Sequence, residues 1–222
     1  MSDEVKPSGG TSSSRIFEAL RQDLVRGRFA AGEKLAINAL RQAYGVGLSP
    51  LREALSKLAA YGLLIQENQR GFRVPALSQA ELEDITRLRI ELEVMAFERA
   101  IAQGDAQWEA ELLGASHRLK RADRTHDMGE VWEALHTRFH RTLVAPCGSM
   151  WLLRFIEQLH DQFDRYRRLG DNPPLIRQPL DDQHQMLVEL ALARDAAAGR
   201  ALLTDHIQQS FEVALAHYRQ YT

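Results

Sequence analysis

The chain has 222 residues, 45% of them hydrophobic and 26% charged, with a net charge of −2 at neutral pH. That balance belongs to a soluble globular protein long enough for two cores, and no apolar run approaches the ~18–20 residues needed to cross a bilayer. A membrane partner is therefore not expected, and a single cysteine, Cys147, leaves no internal disulfide and fits a reducing cytoplasm.

The opening "MSDEVKPSGGTSSSR" has no apolar core of a secretion signal, and residues 1–12 read as a disordered lead. Charge is unevenly divided. Residues 1–78 carry eleven Lys and Arg against seven Asp and Glu, whereas the remainder carries seventeen against twenty-three. A small basic module joined to a larger acidic one is the expected organisation.

Within residues 13–75, "SRIFEALRQDLVR" places Ile16, Phe17, Leu20 and Leu24 on one helical stripe, and Gly27 ends it. "GRFAAGEKLA" reads as a turn leading into a short extended piece, and "INALRQAYG" as a second helix stopping at Gly45. In "VGLSPLREALSKLAAYGLL", Ser49 is the natural N-cap, Pro50 suits the first helical position and Gly62 closes the helix. Glu53 lies four residues after Ser49, so a strict capping box is absent. "LLIQENQRGFRVP" reads as two extended runs around a polar turn, with Pro75 as the stop. Three helices and a hairpin form the plan of a winged helix-turn-helix, whose partner is double-stranded DNA.

The helix entered at Ser49 is expected in the major groove with its N-terminus toward the duplex. Ser49 and Arg52 then meet backbone or base edges. Arg70 and Arg73, with Gly71 closing the wing turn, are placed for the minor groove or adjacent phosphates. Arg41 and Lys57 are further phosphate candidates. The plainer reading of each is a solvated surface charge.

Residues 79–222 follow the linker "PALSQ" and read as helices throughout. The first is "AELEDITRLRIELEVMAFERAIAQ"; then come Gln107–Arg121, Gly129–Ala145, Met150–Leu169, Leu180–Arg194 and Ala196–Tyr218. Gly104, Pro146–Gly148 and Gly170–Pro174 break them, and Asp195 is a natural N-cap for the last. With no convincing strand, the expected fold is mainly α: a winged helix-turn-helix followed by a bundle of six to seven helices. Arg89 falls on the apolar stripe of Leu82, Ile85, Leu92 and Ala96. A buried arginine needs a partner. Glu93 on the same helix is one, and a ligand carboxylate, which suits its fork geometry, is the other.

Eight histidines occur, and four sit on inward stripes. In "HTRFHRTL", His136 and His140 lie one turn apart beside Leu135, Phe139 and Leu143; His184 precedes Leu187 and Val188; His206 sits between Leu203 and Ile207. A lone histidine on an apolar face is usually a hydrogen-bonded core residue. Four on three helices of one bundle point instead to a transition-metal site.

"SPLREALSKLAAYGLL" followed by "QRGFRV" resembles the GntR-type winged-helix transcription regulators. The match runs through Pro50, Arg52, Glu53, Ala54, Leu55, Gly62, Leu63, Gly71 and Val74. The chain departs from the family's Ser-Arg or Thr-Arg pair just before this helix, having Gly47 and Leu48, so base readout must lean on other residues. The helical part is similar to the FCD effector-binding domain of the FadR branch. Metal-binding members carry Asp-x-x-x-His on one helix and one histidine on each of two later helices. His140, His184 and His206 fall on the histidine positions in "RFH", "DQHQ" and "TDHI", and His136 stands at the aspartate position. An all-nitrogen set favours Zn²⁺ or Ni²⁺ over Mn²⁺.

"YGVGLSPLREALSKL", "NQRGFRV", "WEAELL" and "DQHQ" further resemble the carbon-starvation-induced repressor subgroup, which controls glutarate use. The resemblance implies a homodimer on a two-fold operator, and a repressor released by a small organic acid, with a dicarboxylate such as glutarate in view. The acid would complete the metal's coordination and pair with Arg89, helped by Arg165, Tyr166 or Arg167 in "DRYRRL", of which helical spacing turns only some inward. Three rival readings stand beside this one. A metal-sensing regulator would use the same histidines. A metal-dependent hydrolase would need a glutamate after the first histidine of the HxxxH pair, where Thr137 stands. A helical scaffold would keep the histidines as core.

Overall fold

The computed structural model describes residues 12–67, 70–125, 129–170 and 174–222. The lead over 1–11 and the wing residues Asn68 and Gln69 lie outside the described residues. The chain divides into two compact units, residues 1–78 and 79–222.

The first unit contains α1 (Ser12–Val25), α2 (Ile37–Ala43), α3 (Leu48–Ala60), β1 (Ile65–Glu67) and β2 (Gly71–Arg73). The strands pair antiparallel with Gln66 opposite Phe72, and Lys34 adds a bridge to Arg73. The extended piece after α1 thus joins the wing, Leu35 donating its amide to the Phe72 carbonyl. The apolar stripes meet in one core, in which Leu20, Leu51, Leu55, Leu58 and Leu63 are wholly buried. Above it, the Tyr44 hydroxyl donates to Asp23, which also takes Arg28 at 3.0 Å.

The start of α3 corrects the capping expected from the sequence. The N-cap is Gly47, with extended backbone (φ −72°, ψ 163°) and no side-chain cap bond. The helical ladder already begins with the Leu51 amide on the Gly47 carbonyl. Ser49 and Pro50 are therefore inside the first turn. Proline is tolerated there because amides of that turn have no helical acceptor.

The second unit is a bundle of α4 (Gln79–Gln103), α5 (Ala106–Thr125), α6 (Glu130–Val144), α7 (Met150–Arg167), α8 (Pro174–Leu192) and α9 (Ala196–Tyr221). Asp195 caps α9 by accepting from the Ala198 amide, as the sequence foretold, and Ser149 caps α7 through Leu152. α8 begins six residues before the expected Leu180. Pro174 stands at its first position, and Pro179 is accommodated inside the helix. α4 and α9 pack closely because Gly199 has no side chain; a β-carbon there would stand 2.7 Å from the Phe97 ring. Phe97, Phe139, Leu112, Leu143, Leu187 and Leu203 build the core. No helix among the described residues is long and apolar enough to cross a membrane.

Candidate functional site

Four histidines converge inside the second unit. α6 presents His136 and His140 one turn apart, and the Nε2 atoms of the two rings lie 3.1 Å from each other. His184 enters from α8, its ring centroid 5.2 Å from that of His136 and 5.1 Å from that of His140. Each of these three histidines offers a nitrogen, and the three nitrogens all lie within 4.8 Å of one another. Nitrogens bound to one zinc ion sit about 3.4 Å apart, given zinc–nitrogen bonds of ~2.0–2.1 Å, a spacing the trio reaches by drawing its rings together. His206 from α9 stands beside it, with ring centroids 4.7 Å from His184 and 5.3 Å from His140.

The chemistry of the donors fits a metal. His140, His184 and His206 are buried and His136 half-buried. Nδ1 of His140 and both ring nitrogens of His184 are buried without a hydrogen-bond partner among the described residues. An orphaned polar atom costs roughly 1–3 kcal/mol, and an ion would satisfy it. Burial, and then the neighbouring rings, hold His136, His140 and His184 well below the usual imidazole range. Burial, followed by Arg89, lowers His206 to about 4. All four rings are neutral at pH 7, the ligating form. Nδ1 of His206 bonds the Gln183 side-chain oxygen at 3.0 Å, and Gln183 in turn donates to Asp205. That chain fixes the proton on Nδ1 and leaves the Nε2 lone pair as the donor. On the other flank, Trp132 stacks on His136 with centroids 4.7 Å apart.

Arg89 borders the cluster. Its Nε donates to Oε1 of Glu93 at 2.8 Å, and its guanidinium lies 4.3 Å over the Phe163 ring. The internal partner considered from the sequence is therefore present. Nη1, however, is buried with no partner among the described residues. His160 of α7 brings Nε2 to 2.8 Å from the same Glu93 oxygen. Burial alone would raise the Glu93 carboxyl, but Arg89 and then His160 outweigh it and bring it to about 2.

The three candidates on α7 separate. Arg167 turns to Glu133 of α6 and Asp164, with its guanidinium 5.9 Å over Trp132, and so adjoins His136 through that ring. Tyr166 is wholly buried with its hydroxyl on Glu81, and Arg165 donates to Gln162 in the same neighbourhood. Glu81 stands eight residues before Arg89, about two helical turns along α4. Arg165 and Tyr166 are therefore not brought to the histidines. His160 was not singled out from the sequence, although it continues the inward stripe of Leu152, Ile156 and Phe163 on α7. Glu133, one turn before His136, and Gln183, beside His184, were legible only as ordinary surface residues.

In the first unit, Arg41, Ser49, Arg52, Lys57 and Arg70 are exposed. Lys57 pairs with Glu53 at 2.6 Å across one turn of α3. Arg73 is committed within the wing, its Nε to Glu67 and a second nitrogen to the Gly32 carbonyl. Gly71 holds φ at +100°, a backbone conformation that strains any residue with a β-carbon, so glycine is required where the wing turns back.

A winged helix that offers exposed cations along α2, α3 and the wing defines the class: a DNA-binding transcription regulator. The family follows from the sequence. Residues 12–74 match the gntR family of bacterial regulatory proteins and residues 84–209 match the FCD domain, and the chain belongs to the GntR family in its FadR-like, FCD-bearing branch. It is 38% identical over 198 residues to the HTH-type transcriptional repressor GlaR of Escherichia coli, covering 86% of this chain and 90% of that one. It is 39% identical over 202 residues to the uncharacterized HTH-type regulator BphR of Paraburkholderia xenovorans, covering 89% and 82%. The solved structure of E. coli McbR/YncC superposes with a TM-score of 0.84 at 25% identity, over 96% of this chain and all of that one. These relatives are regulators by name, and the family to which the chain belongs is one of bacterial regulatory proteins.

Proposed function

We propose that the chain is a homodimeric transcription repressor whose hold on operator DNA is released by a small organic acid bound beside a divalent metal. The observation that carries the reading is the pairing of buried, neutral imidazoles with a buried guanidinium, in which Nη1 and several ring nitrogens have no partner among the described residues. His136, His140 and His184 would hold the ion, with His206 closing the set. When bound, a Zn²⁺ or Ni²⁺ ion would supply an acceptor for a carboxylate oxygen. Nη1 of Arg89 waits for the same carboxylate, and Arg167 lends positive charge from behind Trp132. A dicarboxylate of the glutarate type would place one carboxylate on the ion and Arg89, a preference that rests on the subgroup resemblance.

In the DNA-binding unit, Arg52 reads base edges or phosphates from the first turns of α3. Arg41, Ser49, Lys57 and Arg70 contact the backbone, and Arg73 with Gly71 holds the wing in shape. Binding of the acid favours one of two arrangements of the helical unit, and the DNA-reading modules of the dimer follow.

The test is operator binding measured by fluorescence anisotropy on a promoter fragment, with metal-loaded and chelator-treated protein and a panel of mono- and dicarboxylates. A dicarboxylate should weaken binding at least about tenfold, a coupling of ~1.4 kcal/mol, and only when metal is present. If no acid acts and the chelator alone changes binding, the ion itself is the signal. If neither acts, the helical unit is a scaffold.

A further inference from the structure

A cleft lies between α6 and α7. Side chains bridge these consecutive helices at two levels. Arg167 and Arg168 meet Glu133 at one end, and Arg141 meets Glu157 at 3.4 Å toward the other. Alongside the second pair opens a cavity of about 650 Å³, within the range of small-molecule sites. Arg138, Arg141 and Arg154 line it above Leu153 and Ile156, and His160 belongs to the same lining. His160 also touches Glu93 and has its ring centroid 6.0 Å from that of His140. One residue thus borders both the open cleft and the buried cluster.

We infer that this cleft is the passage through which a small dicarboxylate anion reaches the buried histidines, with Arg138, Arg141 and Arg154 recruiting it and the Arg141–Glu157 pair strapping the mouth. The inference rests on the metal reading above. Three guanidiniums line the cleft against two carboxylates, Glu111 and Glu157. Glu157 is already taken by Arg141, and Glu111 accepts from Gln107. The three guanidiniums outnumber the two carboxylates and leave the cleft net positive, and a concave site of that sign with low-dielectric walls concentrates anions and speeds their arrival. A neutral solute gains nothing from that field. The strap is solvent-exposed on both sides, with side-chain exposures of 63% and 37%, and a pair of that kind is readily broken.

The experiment uses the full chain loaded with zinc and follows, by stopped flow, how fast two chelators strip the ion. Pyridine-2,6-dicarboxylate is a dianion; 1,10-phenanthroline is neutral. In the double variant Arg138→Gln, Arg154→Gln, which leaves the Arg141–Glu157 strap in place, the dianion should strip zinc on the order of tenfold more slowly and lose most of its salt dependence. The phenanthroline rate and the zinc affinity should stay unchanged. Glu157→Gln, which frees Arg141 and removes a negative charge, should raise the dianion rate severalfold. These are surface side chains, and unchanged circular dichroism and melting would certify the fold. A dianion rate equal to that of the wild type, or equal slowing of both chelators, would overturn the passage. Zinc content measured beforehand separates the two levels: a chain that takes up no zinc overturns the metal reading and the passage together, whereas bound zinc with insensitive rates overturns the passage alone.

Discussion

The two units place their polar chemistry in opposite ways. The DNA-binding unit keeps a dry leucine core and carries its cations outside, where Arg41, Arg52 and Arg70 stand in solvent. The helical unit buries Arg89, Glu93, His140, His184 and His206. Exposed charges cost little and can be spent on a large polyanion whose own field supplies the affinity. Buried ones are tolerated only when something answers them. The difference teaches where to look for a small ligand: at the groups whose answers are incomplete, Nη1 of Arg89 and the ring nitrogens of His184.

The largest effect is expected at Glu93. Glu93→Gln leaves the Arg89 guanidinium buried without its counter-charge and should cost about 3–5 kcal/mol in urea unfolding. Because the Glu93 carboxyl is lowered from 4.5 to about 2 in the folded chain, its contribution is complete above pH ~4.5 and is lost as pH falls toward 2. The variant should lack that part of the acid limb. An unchanged midpoint would mean the buried pair is not what holds Arg89.

Arg52→Ala should weaken operator binding by about 1–3 kcal/mol, roughly five- to 150-fold, with zinc uptake untouched. A matching loss of zinc would show that the units do not divide the work as described. His184→Leu should stabilise the metal-free protein by roughly 1–3 kcal/mol, because it removes two buried unpartnered nitrogens, while abolishing the rise in melting temperature on adding zinc. A structural histidine would give the reverse, lower stability and an unaltered metal response. The smallest effect belongs to Lys57→Ala. Its exposed pair with Glu53 is worth only ~0.3–0.5 kcal/mol. Operator affinity should fall for all sequences alike and the salt slope should decrease by about 0.9.

Much of this division was readable before any coordinates. Period-3.6 stripes located the helices, and the Asp195 cap and the four inward histidines followed from the same periodicity. What was not readable depended on backbone detail or on residues far apart in the chain. Gly47 rather than Ser49 caps α3 because an extended glycine starts the ladder two residues earlier, and side-chain preference alone cannot reveal that. α8 runs back to Pro174 because proline suits a helix's first position as well as a break. Arg165, Tyr166 and Arg167 occupy successive positions, and only packing decides that Arg167 reaches toward Trp132 while Tyr166 turns to Glu81. His160 carried an inward-stripe signal as clear as that of His184, but its meaning comes from Glu93, 67 residues away in sequence.

X-ray absorption at the zinc edge, on full-length protein loaded with one equivalent of Zn²⁺, puts the arrangement of imidazoles to direct trial. Three or four nitrogen scatterers at ~2.0–2.1 Å with the outer-shell pattern of histidine rings, absent in His140→Ala, are expected. A spectrum of oxygen ligands alone, or one that survives the loss of His140, would contradict a metal held between α6 and α8.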